Sequence, residues 1–186
     1  MNTAESWIKH LNLVEHPEGG FFHESYRSDE SIPKSALPSR YRFDHAFGTA
    51  IYYMLAVNDF SAFHRVASDE IWHFYDGTSI LLHMLNPDWG YRSQQVGVRP
   101  EDGAVPQLVI PKGTWMAAEL VDKTSFCLVG CTVAPGFDFS DFEMAKPDKL
   151  VAQFPEREAV IHRLTRTQQE LPDLLNADGQ TDDTHE

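Results

Sequence analysis

The feature that most limits what this chain can fold into is a succession of short apolar segments: TAIYYMLAV, DEIWHFYDG, SILLHMLN, QLVIPKG, WMAAELV and SFCLVGCTVA, all between Thr49 and Ala134. Each is rich in β-branched, aromatic or aliphatic residues and is bounded by Gly, Pro, Asn or Asp. Strands recurring about every ten residues, with no helical segment between them, predict an all-β sandwich, jelly roll or closed barrel. A further strand, FFHESYR, follows the Gly19-Gly20 pair, with Phe21, His23 and Ser25 on one side and Phe22, Glu24 and Tyr26 on the other.

Helical spacing is confined to the two ends. Trp7, Ile8 and Leu11 predict a short amphipathic helix from about Thr3 to Leu11, and Val160, Ile161 and Leu164 predict another within FPEREAVIHRL, with Pro155 at its first turn. From Arg27 to Phe47 the chain carries Pro33, Pro38 and four serines without a period. A loop of that length in a compact domain is a lid, a dimer arm or disordered.

The length of 186 residues predicts a single domain over 1–170, followed by an acidic, flexible tail over 171–186 that holds five acids and no Lys or Arg. The formal charge of −13 argues against a nucleic-acid partner, because phosphate binding needs cations in excess. No apolar run approaches the roughly 20 residues needed to cross a bilayer, and the N-terminal stretch lacks the apolar core of a secretory signal. If Cys127 and Cys131 share a strand, their Cα atoms lie about 13 Å apart, beyond disulfide reach. They read as buried thiols, as expected of a cytoplasmic protein.

The residues able to do chemistry concentrate in FHRVASDEIWHFYDG, which holds His64, Glu70 and His73. Imidazole with carboxylate makes a metal site or a general acid/base pair, so the cluster serves two chemistries. On a regular strand Glu70, Trp72 and Phe74 share one face and His73 points away, so recruiting His73 requires a bulge at Ile71 or Trp72. By the same alternation Arg65 lies opposite His64, as a surface or dimer-interface ion pair, and Glu119 lies opposite Met116 and Ala118. His83 and His23 have no informative spacing. Gly19-Gly20 precedes no helix, which argues against a phosphate-binding loop, and there is no Gly-x-Ser-x-Gly nucleophile motif.

Taken together, HPEGGFFHESYRS, TAIYYML, FHRVASDEIWHFYDG and PKGTWMAAEL resemble the cupins, and within them a subgroup of small single-domain cupins, the cupin-5 type. These are similar in fold to sugar-nucleotide 3,5-epimerases and seed storage proteins. In the first cupin motif His64 takes the first His, Val66 stands where the second belongs, Glu70 takes the Glu and Gly77 the closing Gly. In the second, Pro111 and Gly113 match, and Met116 occupies the His position. The resemblance implies a double-stranded β-helix (a jelly-roll cupin barrel) with a pocket between its sheets, and a homodimer. It also places His64 where the epimerases keep their catalytic base. Their tyrosine proton donor has no counterpart in FCLVGCTVA, for which Tyr53 or Tyr75 would have to substitute.

Three functional readings stay open. The first is a cupin binding a small polar metabolite such as a sugar or sugar nucleotide, with His64, Glu70, Trp72, Phe74, Tyr53 and Met116 around the ligand. Its enzymatic version is an epimerase or isomerase with His64 as base, hydrogen-bonded near Glu70. The second is a metal enzyme in which His64, Glu70 and His73 hold a divalent ion such as Zn, Fe, Ni or Mn. The third is a non-catalytic binding or storage-like protein, in which His64 and Glu70 are simply a buried hydrogen-bonded pair.

Overall fold

The computed structural model describes residues 2–166; the acid-rich end from 171 lies outside them. The chain opens with helix α1 (Ala4–Leu11), capped by Thr3 in a capping box with Ser6. Ten strands follow up to the middle of the chain: β1 (Val14–Glu15), β2 (Phe21–Arg27), β3 (Ser31–Ile32), β4 (His45–Ala46), β5 (Thr49–Leu55), β6 (Phe60–Arg65), β7 (Asp69–Gly77), β8 (Ile80–Asn86), β9 (Gly90–Val96) and β10 (Gln107–Ile110). Strands β11 (Trp115–Leu120), β12 (Cys127–Ala134) and β13 (Glu143–Met144) complete the sheets, and helices α2 (Pro147–Gln153) and α3 (Glu158–Arg163) close the described chain.

Two antiparallel sheets, β1-β2-β5-β12-β7-β10 and β13-β6-β11-β8-β9, face one another, while β3 and β4 form a separate ribbon. This is the double-stranded β-helix expected. Their inner faces meet in one core, with Tyr53, Leu55, Trp72, Val129 and Cys131 from the first sheet against Ile80, Leu82, Met84, Met116, Ala118 and Leu120 from the second. Alternation sends Phe63, Leu85, Trp115 and Ala117 to the back of the second sheet, where Leu150, Phe154, Ile161 and Leu164 cover them. At the other end α1 lays Trp7, Ile8 and Leu11 over Met54 and Leu128. Burying each such side chain stabilises the fold by roughly 1.5–3 kcal/mol.

Several local expectations need correcting. The stretch over 27–47 is not a free loop. It carries β3, a 3-10 turn (Lys34–Ala36) and β4, and is pinned by buried Tyr41, whose hydroxyl bonds Ser68 Oγ at 2.9 Å. The predicted C-terminal helix divides into a 3-10 turn (Pro155–Arg157) and α3. In β2 the alternation slips at a bulge between Glu24 and Tyr26. Phe22, Glu24 and Arg27 therefore face inward, while Tyr26 turns out to solvent.

A second bulge matters more. Met116 pairs with His64 but Ala118 pairs with Ser61, so β6 carries one extra residue at Ala62–Phe63. Residues three apart would otherwise lie on opposite faces; the bulge puts Ser61 and His64 on the same inner one.

Candidate functional site

Between the sheets lies a cavity of about 230 Å³, and His64 and Glu70 reach it from opposite sides. His64 stands on β6, Glu70 on β7, and both are buried. Trp72, Tyr53, Val66 and Cys131 line the same space. Three phenylalanines of the segment after β12, Phe137, Phe139 and Phe142, roof it, and Phe142 stacks on His64 with ring centroids 5.3 Å apart. At the rim Arg27 holds Glu24 through two bonds of 2.9 and 2.6 Å.

The carboxylate partner of His64 is not Glu70. No ion pair or hydrogen bond links those two among the described residues; Glu18 Oε2 lies 3.1 Å from His64 Nε2. Glu18 comes from the loop ahead of β2, and two glycines bring it there. Gly19 and Gly20 have φ of +111° and +71°, and a Cβ on them would fall 2.2 Å from Phe60 O and 2.6 Å from Met54 O respectively. With those approaches made, Ala62 N donates to Glu18 O (2.8 Å) and Tyr53 Oη to Gly19 O (2.8 Å). Glu18 Oε1 in turn accepts from Ser61 Oγ at 2.9 Å, which is what the β6 bulge makes reachable.

The hydrogen bonds fix where the protons are. His64 Nδ1 lies 2.8 Å from Ala62 O; a carbonyl only accepts, so Nδ1 carries a proton. Nε2 then faces Glu18 either as an acceptor from a carboxylic acid or as an imidazolium donor to a carboxylate. Either way the pair holds a single exchangeable proton between Nε2 and Oε2, and its net charge is zero. Burial pushes both groups toward their neutral forms, driving His64 down to about 4 and raising Glu18 above the usual carboxylate range. His16 lies beside Glu18 and is also held below its ordinary value by burial. Its Nδ1 accepts from Glu18 N at 3.3 Å.

Glu70 is a separate acid. Burial, and then the charge of Glu18, push it up to about 8, so near neutral pH it carries its proton. The Cys131 thiol lines the cavity beside it and is itself raised well above the usual thiol range by burial. The buried Trp72 Nε1, which has no well-formed hydrogen bond of its own, leans toward the same carboxyl. An unpartnered buried donor beside an apolar cavity is the kind of group a bound ligand satisfies.

Of the other residues singled out by sequence, His73 points away from the cavity. It bonds Thr132 Oγ1 and Gln107 Nε2, and the bulge in β7 falls at Tyr75, too late to turn it inward. Met116 is packed in the core between the sheets, and Phe74 faces the far end of the sandwich, so neither lines the cavity. Tyr75 lies outside, over Gly130. His83 bonds Glu119 on the back of the second sheet, and Arg65 pairs with Glu143.

The three residues put forward as metal ligands do not come together. His73 faces away from the cavity, His64 and Glu70 share no hydrogen bond or ion pair among the described residues, and Val66 and Met116 are apolar where cupin ligands would stand. Among the described residues no three His, Cys, Asp or Glu are arranged to hold a metal ion.

Residues 5–145 match the family model described as Cupin_5, Cupin superfamily (DUF985). Protein SO0799 from Shewanella oneidensis, whose crystal structure is known, is 35% identical, with 90% of this chain and 100% of that one covered and a TM-score of 0.80. A hypothetical protein from Leishmania major is 33% identical, covering 89% of this chain and 100% of its own, with a TM-score of 0.79. Uncharacterized protein YML079W of Saccharomyces cerevisiae is 28% identical over 154 residues, 78% of this chain and 76% of that protein.

Proposed function

Because the chain belongs to the Cupin_5 family of the cupin superfamily, we propose that its inter-sheet cavity binds a small polar metabolite and moves a proton on it, as an epimerase or isomerase would. The observation that carries this reading is the 3.1 Å contact between His64 Nε2 and Glu18 Oε2 on one side of the cavity, with Glu70, its pKa pushed up by burial, reaching the cavity from the facing sheet. With the shared proton on His64 Nε2, the Glu18 carboxylate that lines the cavity takes the proton from carbon, and Glu70, still protonated near pH 7 on the facing sheet, gives one back. Glu70 takes the donor role for which the sequence offered Tyr53 or Tyr75, the latter lying outside the cavity over Gly130. The Tyr53 hydroxyl is committed to Gly19 O, and burial holds its proton tightly.

Size limits the ligand. A cavity of about 230 Å³ falls below the roughly 300 Å³ at which drug-sized sites begin, so it encloses a monosaccharide or hydroxy acid. A sugar nucleotide would have to leave its nucleotide outside.

The test is a thermal-shift screen of neutral sugars, polyols and hydroxy acids. A ligand at about 100 times its Kd stabilises by about 2.7 kcal/mol, or roughly 5–10 °C in a domain of this size. The shift is expected to vanish in His64→Ala. If no compound raises the melting temperature, the storage-like reading takes its place.

The same reading extends to a homodimer. The outer face of the first sheet leaves Tyr26, Tyr75 and Val109 56%, 52% and 51% exposed, beside Ile71, and a second copy would cover them. Light scattering should give twice the chain mass for the parent and a monomer for Tyr75→Asp/Val109→Asp. A monomeric parent would refute the dimer.

A further inference from the structure

Behind the roof of the cavity lies an open groove of about 520 Å³ with Arg40, Arg42, Arg65 and Lys112 on its walls. We propose that this groove is an anion-binding site for a phosphate or diphosphate group. The chain has only 15 Lys and Arg against 28 acids, so four cations around one groove run against its composition. Among the described residues lining the groove only Asp141 and Glu143 oppose them, and each has a cation of its own or a histidine: Glu143 pairs with Arg65 at 2.5 Å, and Asp141 Oδ2 lies 2.9 Å from His45 Nε2. The surplus of two positive charges suits a phosphate dianion.

The groove is also partly preorganised. Arg40 Nε donates to Ala67 O at 2.9 Å and its guanidinium lies over the Tyr41 ring at 4.7 Å, while Arg65 lies over Trp115 at 4.4 Å. Two planar guanidiniums held in place, with Arg40 Nε on Ala67 O and the Nε/Nη2 edge of Arg65 on Glu143, offer their remaining Nη–H donors to phosphate oxygens with little ordering left to do. Arg42 and Lys112 are exposed and make no ion pair among the described residues. Their charges are available to an incoming anion. Phe142 and Val66 wall both the groove and the cavity, so the two sites lie back to back, with the Phe142 ring between His64 and the anion. The proposal stands whether or not the cavity is catalytic.

The experiment is calorimetric titration of the full chain with inorganic pyrophosphate at low ionic strength. Saturable binding is expected, weakening about tenfold or more as salt shortens the screening length. Arg42→Ala/Lys112→Ala should weaken it about tenfold while leaving the melting temperature of the free protein unchanged, since both side chains are exposed. Arg92→Ala/Arg99→Ala, which removes two cations elsewhere, should bind as the parent does. Absence of binding, full affinity in the first variant, or equal loss in the second would each overturn the assignment.

Discussion

Replacing Glu18 with glutamine should lower proton transfer in the cavity by about 10²- to 10⁴-fold while leaving the fold intact. The amide keeps the volume of the carboxyl, and its oxygen still accepts from Ser61 Oγ, so packing and the loop are retained. What changes is the face toward His64. An amide N–H would cap Nε2 permanently, while Nδ1 stays committed to Ala62 O, leaving the imidazole no lone pair and no mobile proton. Deuterium uptake at the ligand carbon in heavy water measures the step directly, and ligand-induced thermal shift reports binding separately. A Glu18→Gln protein that exchanged deuterium at the parental rate would show that Glu18 is a structural partner of His64 and nothing more.

The second large effect is on stability and comes from Glu70. Its folded-state value of about 8 lies far above the ordinary 4.5, so between those pH values the folded protein keeps a proton that the unfolded chain releases. The folded state binding more protons means that stability falls as pH rises through this window and levels off above it. At about 1.4 kcal/mol per pH unit, Glu70→Gln, which never ionises, should gain several kcal/mol over the parent by pH 9 and little at pH 5. Some slope should remain, because Glu18 is raised by the same burial. Urea unfolding of both proteins from pH 5 to 9 tests this, and parallel stability curves would mean that Glu70 is already solvated and ionised at neutral pH.

Glu18 also marks where sequence reading stops. Strands β5, β7, β8, β10, β11 and β12 were legible because each packs against the core and shows it in its residues. Strand β9 was not: GYRSQQV is an edge strand with Arg92 and Ser93 exposed, so half of it carries no apolar signal. Helix α2 buries only Leu150, too little to make a period. His64 and Glu70 were readable as cavity residues from their motif positions and Trp72 from its alternation with Glu70, while Tyr53, named only as a candidate ligand contact or proton donor, also lines the cavity. Their chemistry was not, because the partner of His64 arrives from a loop 46 positions earlier through contacts that only the folded chain makes. The one available signal was local: His16 and Glu18, two ionisable residues, stand directly ahead of a Gly-Gly pair. The bulge in β6 was likewise invisible, because a one-residue register shift is set by the neighbouring strand.

The loop that carries Glu18 is also held from the far end of the described chain. Arg166 donates to Glu18 O at 3.2 Å, to Phe60 O at 3.1 Å and to Asp59 Oδ1 at 2.7 Å, while Asp59 Oδ2 accepts from Gly20 N. Leu150, Phe154, Ile161 and Leu164 meanwhile cover the back of the second sheet. The smallest piece of this protein worth expressing therefore extends through Arg166, although the family match stops at residue 145. A fragment cut at that boundary would keep every strand and lose the clamp that keeps its acid in place.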